Sequence, residues 1–255
     1  VAPGAAGLLI QLVTAPKAIL ADVGSYLASA WALGGVGTGE AKPIRQSSGS
    51  VLADIGREIR EGLHELVRTP LLRSLAISMG VIVVGGSVQQ TVQVLFFTHT
   101  LHLSAFEIVS LGVFNGIGSL IGAALAGKVA LRWPIGMVMI GAAISEGIVV
   151  GTSAFAGLAP YPYVVLAGTA TAGGLGYAIF AITQISYRQR ITPTQLMGRV
   201  TSARRFLIFC MGIFGTALGG WAGTVLGFQP ALLIGAAIMF GGPLVMWFSP
   251  VRDAA

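Results

Sequence analysis

The sequence predicts an all-α membrane protein, from its composition, the length of its apolar runs and the placement of its basic residues. Of 255 residues, 55% are hydrophobic and 9% are charged, and the mean hydropathy is +0.84. An ordinary globular domain carries about 25% charged residues. A net charge of +6 would suggest an acidic partner in a soluble protein, but here the placement of the charges is more informative. We expect a lipid bilayer and no nucleic acid as partner.

The apolar runs are long enough to cross a bilayer. A membrane helix needs about 20 mostly apolar residues to cross about 30 Å of hydrocarbon. Seven complete runs meet this length, after a shorter apolar piece at 1–13. They are 16–36, 71–97, 105–127, 135–157, 162–187, 200–227 and 230–249.

The basic residues predict the orientation. All fifteen Lys and Arg except Lys17 fall in alternate connections, whereas the opposite loops near 98–104, 158–161 and 228–229 contain none. Cytoplasmic connections of membrane proteins carry an excess of Lys and Arg. We therefore expect a multi-pass protein of the cytoplasmic membrane, with its C-terminus in the cytoplasm.

One long polar connection, 37–70, separates the first predicted span from the other six. It begins with a Gly/Ser-rich part and continues as "VLADIGREIREGLHELVRTP", residues 51–70. Apolar residues recur there at helical spacing, with charged residues between them. This pattern predicts a flexible linker followed by an interfacial helix that ends at Thr69-Pro70.

Three local patterns could suggest a ligand or a covalent link. "GAALAGKV" (122–129) resembles a phosphate-binding loop, but Val129 replaces the hydroxyl residue and the segment ends a membrane helix. His99 and His102 lack further ligands for a metal ion nearby. Cys210 is the single cysteine, so it has no intrachain disulfide partner. We expect no cofactor, no metal, no catalytic residues and no enzymatic activity.

Other patterns predict helix starts and helix packing. Ser104 and Glu107 match a capping box, and Thr192 with Gln195 predicts a second helix start. Small-residue faces, which let helices approach closely in lipid, are predicted by glycines four residues apart. These are Gly215, Gly219, Gly223 and Gly227, with the pairs Gly112/Gly116, Gly118/Gly122 and Gly147/Gly151.

Polar residues inside the predicted spans are the candidate functional residues, because ionisable or polar groups in hydrocarbon are costly. The ionisable candidates, for proton coupling, are Glu146 and Asp22. The candidates for a polar substrate cavity are Gln89, Gln93, Asn115, Tyr177, Phe180 and Gln184. The alternative is that the amides only hydrogen-bond neighbouring helices.

Several blocks of the sequence resemble the major facilitator superfamily, in particular its exporters similar to enterobactin and macrolide efflux proteins. The most specific is "ISYRQRITPTQLMGRVTSARRF" (185–206). The others are "APGAAGLLI" (2–10), "LADVGSYLASA" (20–30), "EGLHELVRTPLLRSLA" (61–76) and "SPVR" (249–252).

The resemblance implies a fold of twelve helices in two halves, with a substrate cavity between them. Residues 1–36 then hold the end of helix 5 and helix 6, 37–70 form the cytoplasmic linker, and 71–255 form the C-terminal six-helix domain. Most of the N-terminal half would precede Val1 and would be a partner in transport. Helices 7 and 10 line the family's cavity, which favours Gln89, Gln93 and Gln184, whereas Glu146 and Asp22 would lie on outer helices.

The function implied by the resemblance is secondary active export of a small amphipathic molecule, drug-like or siderophore-like, by alternating access. Proton coupling is expected from the family, although Ala2, Ala6 and Leu131 depart from its antiport motifs. The alternatives are an uptake permease and a non-transporting membrane subunit or scaffold. Arg188, Arg190 and Arg199 are predicted to mark the cytoplasmic turn between helices 10 and 11, where a gating contact with the first half is a further interpretation.

Overall fold

The computed structural model of the protein describes residues 15–34, 60, 62, 64, 66–192 and 196–253. The chain divides into two compact units, Val1–Asp54 and Ile55–Ala255, and each is described by itself. In the first unit, helix α1 spans Ala15–Gly34, close to the predicted 16–36.

The second unit contains six helices that are long and apolar enough to cross a membrane. They are α2 (Pro70–Leu95), α3 (Ala105–Arg132), α4 (Ile135–Ala154), α5 (Pro162–Ile191), α6 (Met197–Val225) and α7 (Phe228–Trp247). These six confirm the predicted all-helical membrane fold. Helix α1 was predicted as a seventh span but is not among the helices that meet this criterion. Lys17 and Asp22 lie within it and lower its hydropathy.

The connections between these helices are short. Helix α2 continues as a π-helix over Phe96–Thr100, so His99, predicted in a loop, is helical. A 3₁₀-helix over Ala156–Leu158 follows α4. Gly227 joins α6 to α7 with a φ of 93°, a conformation that glycine adopts without the steric penalty of a side chain. Tight turns of this kind make consecutive helices antiparallel.

The start of α3 confirms the predicted capping box. The backbone amide of Glu107 donates to the Ser104 hydroxyl at 3.3 Å. The backbone amide of Ser104 donates in turn to the Glu107 carboxylate at 2.8 Å. Glu107 therefore has a structural role at this helix start, because it satisfies an amide that the helix itself leaves free.

Thr192, predicted as the N-cap of the next helix, lies at the C-terminal end of α5, and α6 begins at Met197. The Thr192 hydroxyl donates to the Arg188 carbonyl at 2.7 Å, which also accepts from the Thr192 backbone amide at 3.1 Å. A residue before proline is pushed to extended backbone, and Thr192 has φ −96° and ψ 123°. Pro193 and Gln195, the other residues of this prediction, lie outside the described residues.

The contacts among the six helices relate two triplets, α2–α4 and α5–α7. The extensive contacts join α3 to α5, α2 to α6, α2 to α7, α4 to α5 and α4 to α7. Exchanging α2 with α5, α3 with α6 and α4 with α7 leaves this set of contacts unchanged. Because each triplet crosses the bilayer an odd number of times, the second triplet runs in the opposite direction to the first. The set of contacts is therefore the one that an inverted repeat would show.

Glycines form the seams between the parallel pairs of this repeat. A Cβ added at Gly219 of α6 would lie 2.9 Å from the Val88 Cα of α2. One added at Gly122 of α3 would lie 2.9 Å from the Leu175 Cα of α5. The predicted small-residue packing is confirmed at these two seams. It is wrong at Gly112, where an added Cβ would meet nothing within 4 Å.

Basic residues collect at the end of the bundle where α3, α5 and α7 finish and α2, α4 and α6 begin, here called the basic end. Arg252 lies there over the Trp247 ring, 4.6 Å from its centroid. The described residues of segment 60–68 are helical. Among them, Leu66 is buried with Val200 and Ala203 of α6. This part of the predicted interfacial helix thus packs on the bundle.

Candidate functional site

An apolar groove of about 610 Å³ runs between α2 and α6. The side chains of Phe209 and Ile213 form part of its wall. They are 71% and 72% exposed. The hydroxyls of Ser87 and Thr216 are the polar groups of its lining. The full lining is Val83, Ser87, Ile208, Phe209, Gly212, Ile213, Thr216 and Ala217.

The groove exists because of the glycine seam beside it. Gly215 and Gly219 hold α6 against the α2 backbone, so the side chains next to the seam diverge. The two helices are also separated at Gly212. A Cβ added there would make only an ordinary van der Waals contact, with the Ser87 hydroxyl oxygen at 3.7 Å. The groove is thus a place where α2 and α6 meet through small residues and leave space for an apolar molecule.

None of the three glutamines of α2 is among the residues that line this groove. Gln89 and Gln93 were predicted as substrate-binding residues, and both are half-buried. The groove-lining residues Val83 and Ser87 are followed at helical spacing by Gln90, which is exposed.

Asn115 joins two helices. Its side-chain amide donates to the Ala170 carbonyl of α5 at 3.3 Å, and the α3 and α5 backbones meet tightly there at Gly174. This arrangement supports the interpretation of Asn115 as a packing residue. It lies in the α3–α5 seam, away from the α2–α6 groove.

The three candidates on α5 differ in exposure. Tyr177 is 59% exposed. Phe180 is 5% exposed and lies in the core with Met139 and Met246. Gln184 is 3% exposed, one helical turn before Arg188. The three residues therefore do not form one exposed face, because Phe180 and Gln184 are buried and only Tyr177 is exposed.

Glu146 lies where α4 meets α5. It is half-buried, and within the described ranges its Oε1 atom is buried without a hydrogen-bond partner. A Cβ added at Gly176 of α5 would lie 3.2 Å from this atom. Its neighbour Ser145 lines a second groove, of about 440 Å³. The other ionisable candidate, Asp22, is on α1, and its side chain lies outside the described residues.

The arginines of the basic end are not equivalent. Arg190 and Arg199 are exposed, as expected for residues at the headgroup level. Arg188 is only 8% exposed, and its guanidinium donates to the Thr201 hydroxyl of α6 at 3.1 Å. Arg204, one turn after Thr201, is half-buried, and the charges of Arg188 and Arg205 act on it. The sequence predicted the basic character of this turn but not the burial of Arg188.

Fold and site together define a multi-pass helical membrane protein with a groove beside the glycine seam of α2 and α6. No family profile, curated protein or solved structure matches this chain. The functional interpretation therefore depends on the geometry of the bundle itself.

If the groove is a path for water and substrate, a cysteine in it will react with a charged thiol reagent. We expect Ile213→Cys, in a Cys210→Ser background, to be labelled within minutes by a trimethylammonium methanethiosulfonate. The matched control is Ile148→Cys on α4, where Ile148 is 54% exposed and does not line the groove. Mass spectrometry reports the labelled fraction. Equal labelling of the two positions would show that the groove is no wetter than the outer surface.

Proposed function

We propose that this protein is a secondary transporter that moves a small amphipathic molecule across the cytoplasmic membrane by alternating access. The direction we propose is export, and the driving force is a proton gradient. The proposal makes the bundle one half of a major facilitator fold. The substrate would bind at the open face of the bundle, along α2 and α6.

The inverted repeat of the helix triplets supports this proposal most strongly. Transporters are often built from inverted repeats, with their substrate sites near the middle of the bilayer. Here α2, the first helix of one triplet, meets α6, the middle helix of the other, and the groove runs along this contact. An inverted repeat allows two states of the protein that open to opposite sides of the membrane. A scaffold does not require such states.

The composition of the groove supports an amphipathic substrate. Its lining is apolar apart from the Ser87 and Thr216 hydroxyls, and Gln90 follows Ser87 on α2. Few, well-placed polar groups in an apolar pocket are typical of small-molecule sites. A sugar would need many more hydrogen-bond partners than this lining offers.

An efflux screen of the full-length gene in a hypersensitive strain tests the function. We expect resistance to at least one amphipathic compound, reduced severalfold by Ser87→Leu together with Thr216→Leu, which would fill the groove. The control is the pair Ile148→Leu and Leu244→Ile, at exposed positions outside the groove. Membrane abundance is measured by immunoblot. Resistance that is unaffected by filling the groove would contradict this substrate site, and resistance to no compound would contradict export.

A further inference from the structure

Two arginines at the basic end have polar atoms that nothing in the described structure satisfies. The Nε atoms of Arg188 and Arg204 are buried without a hydrogen-bond partner. Arg188 is more than nine-tenths buried as a whole side chain. A buried cation without a counter-ion is costly, and an anion bound at this pair would offset that cost.

The acidic side chains of the described residues lie elsewhere. Glu107 caps α3 at the opposite end of the bundle. Glu146 meets α5 at Gly176, twelve residues before Arg188, which corresponds to about 18 Å along a helix. Asp253 is exposed beyond α7. Within the described ranges, the charged neighbours of Arg204 are the cations Arg188 and Arg205, and the Tyr177 phenol also interacts with it.

The two arginines are held together by the contact between α5 and α6. The Thr201 hydroxyl accepts from the Arg188 guanidinium, and Arg204 follows Thr201 by three residues on the same side of α6. The charge of Arg188 acts on Arg204, so the two like charges lie near each other. Arginine presents several donors in a planar fork that matches a carboxylate, sulfonate or phosphate.

The apolar groove begins one helical turn beyond this pair. Ile208, four residues after Arg204, is the first α6 residue of its lining, and four residues span about 6 Å along the helix axis. An apolar molecule in the groove could therefore place an anionic end at the arginines.

We infer that Arg188 and Arg204 form a binding site for the anionic group of an amphipathic substrate whose apolar part lies in the α2–α6 groove. The inference deepens the proposed transport function, because it assigns the sign of the substrate charge. Arg188 is the buried donor, fixed by Thr201, and Arg204 is the donor nearer the groove.

Equilibrium binding to the purified full-length protein in phosphatidylcholine nanodiscs tests this site. The probes are dansyl-labelled undecanoate and its neutral methyl ester, which differ in the charge of one end. We expect the wild type to bind the carboxylate at least about tenfold more tightly than the ester, as charge-assisted hydrogen bonds to two arginines require. Arg188→Gln with Arg204→Gln is expected to remove this preference and to leave the affinity for the ester unchanged.

Three further variants make the test specific. Arg190→Gln, two residues from Arg188 and exposed, is expected to keep the preference. Arg204→Lys is expected to keep part of it, because the charge remains while the planar fork is lost. If the double variant does not fold, Arg204→Gln alone is expected to lower the preference, since Arg204 is only half-buried.

Several results would overturn the inference. Equal affinity of the wild type for carboxylate and ester is one, and an unchanged preference in the double variant is another. Loss of the preference when phosphatidylglycerol is added would assign the arginines to a lipid headgroup. The binding assay does not depend on transport. If the protein binds the carboxylate selectively but does not transport, the proposed function is refuted and the anion site is retained.

Discussion

Gly219→Ala is expected to destabilise the bundle, whereas the same substitution at the next residue, Gly220→Ala, is not. A Cβ at Gly219 would lie 2.9 Å from the Val88 Cα and 3.0 Å from the Val88 carbonyl oxygen, whereas one at Gly220 would meet nothing within 4 Å. Backbone atoms cannot yield as a flexible side chain can, and overpacking of this kind costs about 1–3 kcal/mol. Alanine favours a helix over glycine by about 0.5–1 kcal/mol, so Gly220→Ala should be neutral or stabilising.

Thermal unfolding of the purified variants in the same detergent measures this difference. We expect a lower Tm for Gly219→Ala and an unchanged or higher Tm for Gly220→Ala. Both substitutions add one methyl group to neighbouring positions of one helix, so they share the change in hydrophobicity. Equal Tm values for the two variants would contradict the close α2–α6 seam and, with it, the groove that this seam creates.

Glu146→Gln is expected to uncouple transport from the proton gradient without destabilising the protein. The Glu146 carboxyl carries a buried oxygen atom without a hydrogen-bond partner among the described residues. A neutral amide of the same shape removes the cost of a charge in an apolar environment. If Glu146 carries the proton, the variant will still bind and exchange substrate but will not accumulate it against a gradient.

The measurement compares substrate counterflow with proton-driven accumulation in proteoliposomes. The control is Ser145→Ala at the adjacent residue, whose hydroxyl donates to the Ala142 carbonyl of its own helix at 2.7 Å. It should retain both activities. Proton-driven accumulation at the wild-type level in Glu146→Gln would exclude this carboxyl from coupling.

The six spanning helices could be predicted from the sequence because apolar runs and short loops are local properties. The capping box at Ser104 was equally local and was confirmed. The hydrogen bond from the Thr192 hydroxyl to the Arg188 carbonyl of the preceding helix was not predicted, because the sequence pattern indicated only a cap for the following helix.

The candidate site was less predictable, because it depends on how helices distant in sequence are paired. Gln89, Gln90 and Gln93 are indistinguishable by composition, and only the packing of the helices shows that Gln90 is exposed whereas Gln89 and Gln93 are half-buried. The burial of Arg188 similarly requires Thr201 of a different helix. The symmetric set of helix contacts could not be predicted either, because it depends on which helices pack together.

The central claim, that this protein is a transporter, is tested most directly by substrate flux through the purified full-length protein in proteoliposomes. The compound is the one that the efflux screen identifies, and empty vesicles are the reference. We predict accumulation that requires an imposed proton gradient and that Ser87→Leu with Thr216→Leu abolishes. Flux equal to that of empty vesicles, from protein that is folded and correctly inserted, would contradict the claim.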